Sequence, residues 1–263
     1  MNLDQSSYQN QIWAVLPTYC EAENLPILLK RLADLDLDIQ MLVVDDDSPD
    51  GTGDIAEELG NLDKNIHLIR RKGERGLGSA YLLGFQHALD QGADLLISMD
   101  CDLSHQPEAI PSLLSARGDA GCVVGSRYTD GGRIENWPKR RKVLSATANS
   151  FVRLLFQMPV SDCTSGYRIY RKEVVSEILA AQPRSQGYSF LVEALLVAVS
   201  GPFPVVESPI CFIERTRGES KMGLREIVMG ARALLALRLK TGFRPQAVRR
   251  LDPTSKSPVN TGD

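Results

Sequence analysis

Short apolar runs alternating with helical stretches set the plan of the chain. Residues 12–16 form a β-rich run ended by Pro17, and residues 40–44, 66–69, 93–99 and 120–124 form four more. Between them, a stretch opening at Asn24-Leu25-Pro26 and stretches over 52–59, 79–90 and 109–114 read as helices. Pro26 falls in a first turn, where its missing N–H is not needed. Near-continuous apolar strands alternating with helices imply a parallel sheet covered on both faces, so the expected class is α/β with a Rossmann-like, mostly parallel sheet.

The second half has a different texture. Residues 129–142 are rich in Gly, Arg and Lys and read as a mobile loop. Helices are expected over 143–156, with Phe151, Leu154 and Leu155 apolar, and over 174–181 and 190–199; a short strand is expected over 210–214. Residues 224–239 predict a long helix, with Leu224, Ile227, Val228, Ala231 and Leu235 at helical spacing. One domain is expected over residues 10–242, followed by a tail over 243–263 that is first basic and then disordered, since it has little to bury.

Composition narrows the class. At 263 residues, 43% hydrophobic and 24% charged, the chain is ordinary for a globular protein, which excludes collagen-like and low-complexity readings. No apolar run approaches the ~18 residues of a membrane span. The opening MNLDQSSYQN has neither a basic nor an apolar signal region, so a cytoplasmic chain is expected. Cys20, Cys101, Cys122, Cys163 and Cys211 form no CxxC pair and read as reduced small hydrophobes. The net charge of −3 points to no nucleic-acid partner. Its distribution matters more: residues 215–250 hold ten Lys/Arg and two acids, a local +8 that leaves −11 for the rest. Such a segment suits phosphate groups or an anionic membrane surface.

In open α/β sheets, ligands collect beyond the carboxyl ends of the strands. Polar clusters at 17–21, 45–51 and 100–105 occupy such positions. Each alone has a helix-capping reading; three on one edge favour a ligand site. Asp100-Cys101-Asp102 sets two carboxylates two positions apart, oxygen donors that suit Mg²⁺ or Mn²⁺ bridging to a diphosphate. His105 reads as a surface or capping residue. The loop Gly73-Glu74-Arg75-Gly76-Leu77-Gly78 has neither G-K-[ST] nor GxGxxG, so its glycines read as a close approach to the next helix and a nicotinamide cofactor loses support. Glu193, inside an apolar helix, is either aimed at a site or paired with an Arg such as Arg168, and the pairing is preferred.

Pro17-Thr18-Tyr19-Cys20-Glu21, Val44-Asp45-Asp46-Asp47-Ser48-Pro49-Asp50-Gly51-Thr52 and Met99-Asp100-Cys101-Asp102-Leu103-Ser104-His105 resemble glycosyltransferase family 2. More narrowly, they are similar to the dolichol-phosphate (polyprenol-phosphate) mannose synthases. Gly125-Ser126-Arg127-Tyr128, Thr164-Ser165-Gly166-Tyr167-Arg168 and Arg215-Thr216-Arg217-Gly218-Glu219-Ser220-Lys221 extend the similarity over most of the chain. The resemblance implies a GT-A-type fold and transfer of mannose from GDP-mannose to a dolichyl or polyprenyl phosphate. It implies that Pro17, Tyr19, Glu21, Val44 and Asp46 line the nucleotide pocket. Cys101 and Asp102 then approach the diphosphate and metal, with Ser104 a further metal contact, and Asp100 belongs with the nucleotide-sugar-binding residues. Arg127, Arg215 and Lys221 reach phosphate, and Arg127, Arg141 and Ser145 lie near the acceptor phosphate. Cys20 stands where that family commonly has Asn, and Asp47 where it commonly has Gly.

The implied chemistry is coherent. A metal at Asp102, with Arg215 and Lys221, stabilises the departing diphosphate. A lipid monophosphate is anionic near pH 7 and needs no general base, and Arg127 and Arg141 offer planar forks to hold it. A single in-line displacement inverts the anomeric carbon and gives a β-linked product. The basic helix over 224–239, with Arg225, Arg232, Arg238 and Lys240, either lies on the cytoplasmic face of a membrane or packs on its own domain. Membrane access comes from that surface or from an anchoring subunit. Three rivals are a UDP-sugar donor, a non-catalytic membrane-surface subunit, and a metal-dependent phosphohydrolase. Retention of Asp102, Arg127, Arg215 and Lys221 counts against the second. The lack of a His-rich or paired-metal ligand set counts against the third.

Overall fold

The computed structural model describes residues 10–73, 75–183, 185, 187–214, 230, 232 and 234–239. Its main sheet has seven strands in the order β3-β2-β1-β4-β7-β5-β8. These are β1 (Ile12–Thr18), β2 (Ile39–Asp45), β3 (Ile66–Arg70), β4 (Leu95–Ser98), β5 (Cys122–Ser126), β7 (Arg168–Arg171) and β8 (Val205–Pro209). A separate parallel pair joins β6 (Arg133–Glu135) to β9 (Cys211–Ile213). Only β7 runs antiparallel in the main sheet, between β4 and β5, so the mostly parallel expectation holds.

The strands are central because their alternate residues feed opposite cores. Val15, Leu42, Val44 and Leu96 belong to one buried cluster, together with residues of α3 (Leu77–Asp90), α5 (Lys139–Phe156), α6 (Lys172–Ala181) and α7 (Tyr188–Ser200). Ala14, Leu16, Met41, Val43 and Ile97 belong to the other, with residues of α1 (Leu25–Ala33), α2 (Thr52–Leu62) and α4 (Ile110–Ala116). Helix α3 lies close on the sheet through Gly84, where an added Cβ would sit 2.4 Å from Val15 Cγ1. Gly78, inside α3, likewise faces Phe190 of α7, 2.8 Å from where its Cβ would be, so the close approach there is between α3 and α7 and not between the loop and the following helix.

Several sequence expectations need correction. Pro17 does not end β1, which runs on to Thr18 at the end of its pairing with β2. The stretch 129–142 is not merely a loop: it holds β6 and the first residues of α5. Strands β7 and β8 were not anticipated. In the last described helical segment, Leu234 is buried and Leu235 is 44% exposed, so Leu235 does not share the packed face. Residues 243–263 lie outside the described residues.

From β1 the chain moves outward to β2 and β3, then returns to β4 on the other side of β1. The loops after β1 and β4 therefore diverge at a topological switch point, where an open sheet leaves a crevice for ligands.

Candidate active site

Three loops meet at that crevice, and each contains a non-glycine residue in the left-handed region: Cys20 (φ 61°) after β1, Asp47 (φ 57°) after β2, and Leu103 (φ 63°) after β4. Such conformations persist only where the surroundings hold them, and they cluster at functional sites. The surroundings are visible here. Ser48 Oγ accepts the Cys20 N–H at 3.0 Å, Thr52 Oγ1 accepts the Glu21 N–H at 2.9 Å, and Asp50 accepts the Ala22 N–H at 3.1 Å. The loop after β2 thus splints the loop after β1.

The acidic run divides by role. Asp45 accepts from Thr18 Oγ1 at 3.3 Å and from the Ser48 N–H at 3.1 Å, and Asp50 from Thr52 Oγ1 at 2.6 Å, so both carboxylates stabilise the loop itself. Burial alone would raise the Asp50 pKa, but the hydrogen bonds from Thr52 and Ala22 hold it below its ordinary value. Asp46 is different. It is buried, accepts from Arg71 Nε at 2.7 Å and from the Gly76 N–H at 2.8 Å, and so ties the glycine-bearing loop to the crevice. Arg75 in that loop lies over the Tyr19 ring, 4.3 Å from its centroid. Neither arginine was anticipated, although the loop was noticed.

Beyond β4, Asp100 and Asp102 line a cavity of about 360 Å³. The Ser104 N–H donates to Asp102 Oδ1 at 3.0 Å, and the Asp100 N–H donates to His105 Nδ1 at 3.0 Å. His105 is buried, stacked on Tyr167 with centroids 4.9 Å apart, and burial lowers its pKa. With Nδ1 accepting, the neutral ring carries its proton on Nε2. His105 is an internal brace for the acidic loop, contrary to the surface or capping reading. Cys101 is buried, its thiol pushed well up by burial, so what it offers a ligand is backbone.

No metal is part of the structure, but the donors fit one. Two carboxylates on a cavity wall supply the hard oxygen ligands that Mg²⁺ and Mn²⁺ prefer. No group of three or more His, Cys, Asp or Glu suited to a metal occurs among the described residues. Asp100 and Asp102 would supply two oxygen ligands to such a cation.

The same cavity is lined by Arg127, Arg141 and Ser145, so the ends of β4 and β5 and helix α5 converge on it. Arg127 sits just past β5 and grips Asp162 through Nε and Nη2, both at 2.7 Å. Arg141 lies over Trp137, 4.0 Å from its centroid, and pairs with Glu214. Leu144, Phe151, Val152 and Leu234 give the wall an apolar part, beside the hydroxyls of Thr147, Thr164, Ser165 and Ser189. Pro17, Tyr19, Glu21, Val44, Asp46, Cys101 and Ser104 do not line this cavity; they belong to the adjoining loops and strand ends or, for Val44, to the core. Arg215 and Lys221 lie outside the described residues.

Glu193 is not paired with Arg168 and is not on the cavity wall: it accepts the Ser185 N–H at 3.1 Å. Arg168 is fully buried and donates to Leu191 O at 2.7 Å, Cys163 O at 3.0 Å and Tyr170 Oη at 3.1 Å.

The sequence model for glycosyl transferase family 2 matches residues 13–179. The chain belongs to that family. Among curated relatives, the polyprenol monophosphomannose synthase of Mycolicibacterium smegmatis is 46% identical over 211 residues, covering 79% of each chain. The undecaprenyl-phosphate mannosyltransferase of Micrococcus luteus is 42% identical over 212 residues, covering 81% of this chain and 87% of its own. Its GT-A-like architecture is shared with solved family structures of low identity. Glucosyl-3-phosphoglycerate synthase from Mycobacterium tuberculosis, solved with Mn²⁺, UDP and phosphoglyceric acid, superposes with a TM-score of 0.64 at 16% identity over 90% of this chain and 80% of its own. A mannosyltransferase from Pyrobaculum calidifontis, solved with GDP-mannose and Mn²⁺, gives 0.62 at 15% identity over 91% and 67%. The chain is a glycosyltransferase by family.

Proposed function

We propose that this glycosyltransferase moves mannose from GDP-mannose to a polyprenyl phosphate, with inversion, on a metal-dependent site. The observation that carries the acceptor reading is the cavity along α5. Its lining joins Asp100, Asp102, Arg127 and Arg141 to a larger set of apolar side chains, with several Ser and Thr hydroxyls among them. From Arg141 to Val152 it follows about three turns of helix, roughly 16 Å at the α-helical rise. An anion with an apolar chain suits such a cavity; a soluble phosphorylated acid does not need the apolar part. The names of the two curated relatives, which specify mannosyl transfer to polyprenyl-type phosphates, support the same sugar and acceptor here.

Each residue then has a task. Tyr19, Glu21 and Asp46, with the backbone at Pro17, Val44 and Cys101, receive the nucleotide. Asp100 and Asp102 hold Mg²⁺ or Mn²⁺, with Ser104 beside them. When bound there, a divalent ion would supply positive charge to offset what develops on the diphosphate. Arg215 and Lys221 add positive charge to the leaving group. Arg127, Arg141 and Ser145 orient the acceptor phosphate. That phosphate is already anionic, so its oxygen attacks without a base; its bond to the anomeric carbon forms as the bond to the diphosphate breaks, and inversion follows. Glu193 has no part in this scheme.

No helix among the described residues is long and apolar enough to cross a membrane. Lipid access through a peripheral contact on the cytoplasmic face, by the basic C-terminal segment or an anchoring subunit, belongs to the proposal. Calorimetric binding of GDP and UDP, followed by NMR of the product's anomeric centre, tests it. Preference for GDP and a β-linked product are expected. Preference for UDP overturns the donor, and an α-linked product overturns the single displacement.

A further inference from the structure

Asp162 lies before the Thr164-Ser165-Gly166 motif and is absent from the site set read from the sequence, yet its side chain is 0% exposed and ends on Arg127. Its Oδ2 accepts the Arg127 backbone N–H at 3.0 Å and Nε at 2.7 Å, and its Oδ1 accepts Nη2 at 2.7 Å. Thr164 Oγ1 takes a further bond from Nη2 at 2.8 Å. Nη1 is then the guanidinium nitrogen of Arg127 with no hydrogen-bond partner among the described residues, on a residue that lines the cavity.

Asp162 is itself held from three sides. Glu207 on β8 accepts the N–H groups of Ser161 at 2.8 Å and Asp162 at 2.9 Å. Asn149 on α5 accepts those of Cys163 at 2.8 Å and Thr164 at 3.2 Å. Buried Arg168 donates to Cys163 O at 3.0 Å. Asn149 Nδ2 also donates to Thr164 Oγ1 and to Ser145 O, both at 3.1 Å. A continuous polar chain thus runs from Arg127 through Thr164 and Asn149 to the turn of α5 that carries Ser145.

We infer that Asp162 is a positioning residue for acceptor binding, fixing Arg127 by Nε and Nη2 so that Nη1 alone is presented to the acceptor phosphate. The inference rests on the proposed acceptor. An arginine held in this way has lost its rotamer freedom before the ligand arrives, so binding does not incur that cost again. Its charge is largely balanced by Asp162, so it acts as an aimed donor more than as a free cation.

The test is a double-mutant cycle on the full chain, read as acceptor KM with a short polyprenyl phosphate and as GDP-mannose affinity by calorimetry. Asp162→Asn is expected to raise acceptor KM about tenfold or more, the scale of a hydrogen bond to a charged group, with donor affinity unchanged. In an Arg127→Met background the same substitution is expected to leave acceptor KM where Arg127→Met put it. Factors that multiply across the two sites, or a fall in donor affinity alongside acceptor KM, assign Asp162 a general structural role and overturn the inference. Asp162→Asn leaves Arg127 buried without a counter-charge. If that variant does not fold, Thr164→Val, which removes the bond from Nη2 and the bond from Asn149 Nδ2 but no charge, takes its place in the cycle with the same expectations. Wild-type protein that neither binds nor uses the polyprenyl phosphate overturns the acceptor reading and this inference with it. Wild-type transfer with independent effects overturns this inference alone.

Discussion

Asp46→Asn perturbs a buried ion pair that joins the crevice to the chain leading into the glycine-bearing loop. The side chains are 2% exposed at Arg71 and 10% exposed at Asp46. Arg71 Nε lies 2.7 Å from Asp46 Oδ1, and Arg71 Nη1 donates to Ser79 Oγ at 2.8 Å. The substitution removes the carboxylate and leaves Arg71 buried without a counter-charge. Breaking a buried pair in this way costs about 3–5 kcal/mol. At about 2–4 °C per kcal/mol for a domain near this size, Tm should fall by on the order of 10 °C. Removing both charges in Asp46→Asn/Arg71→Met takes away the stranded cation and should recover part of the loss. Nucleotide binding should behave differently, since the proposed contact belongs to the carboxylate: GDP affinity falls in the single variant and is not restored in the double. Thermal melts and calorimetry on the same preparations read both quantities. An Asp46→Asn variant that melts with the wild type refutes the energetic reasoning, and wild-type GDP affinity in the double variant refutes the role given to Asp46.

Three further outcomes are expected. Gly84→Ala places a Cβ 2.4 Å from Val15 Cγ1 and 3.2 Å from Val44 Cγ2, and should cost about 1–3 kcal/mol by overpacking, seen as an earlier urea midpoint. Asp50 has its pKa depressed below 3.8, so its charge stabilises the fold above that pH and the contribution disappears as pH falls through 3.8 to the folded value. Asp50→Asn should therefore melt earlier than wild type at pH 7 and converge with it in acid; a gap independent of pH contradicts this. Leu144→Glu sets a charge on the apolar wall at a residue already 36% exposed. It should raise KM for a polyprenyl phosphate while GDP affinity and Tm stay near wild type, and an unchanged acceptor KM removes the chain from this cavity.

The parallel half of the fold was legible because β1, β2 and β4 are buried on both faces and leave uninterrupted apolar runs. Strand β7 left no such mark. It reads Arg-Ile-Tyr-Arg, and its first residue is a wholly buried arginine whose Nη1 and Nη2 bond mainly to carbonyls, which no hydrophobic pattern reports. Strand β8 is only partly buried over most of its length, and its Glu207 is used to accept loop amides. The site divides in the same way. Asp100 and Asp102 were visible as a spaced pair at a strand end, and Arg127, Arg141 and Ser145 through family likeness, and these five do share one cavity. Asp162, Asn149, Arg71 and His105 were not seen in their roles. Each works through a backbone amide or through another side chain, from a loop, helix or strand end distant in sequence. The Asp before Thr164-Ser165-Gly166 is the sequence mark of the brace behind Arg127.

The central claim is sugar transfer to a lipid phosphate at the cavity that Asp102 and Arg127 share. Its most direct measurement is incubation of the purified chain with GDP-[¹⁴C]mannose, polyprenyl phosphate and Mg²⁺ or Mn²⁺, with organic extraction of the product. Labelled lipid that is lost with EDTA and with Asp102→Asn is the predicted result. Labelled lipid formed equally well by Asp102→Asn, or none from GDP-mannose while UDP-glucose yields it, contradicts the account.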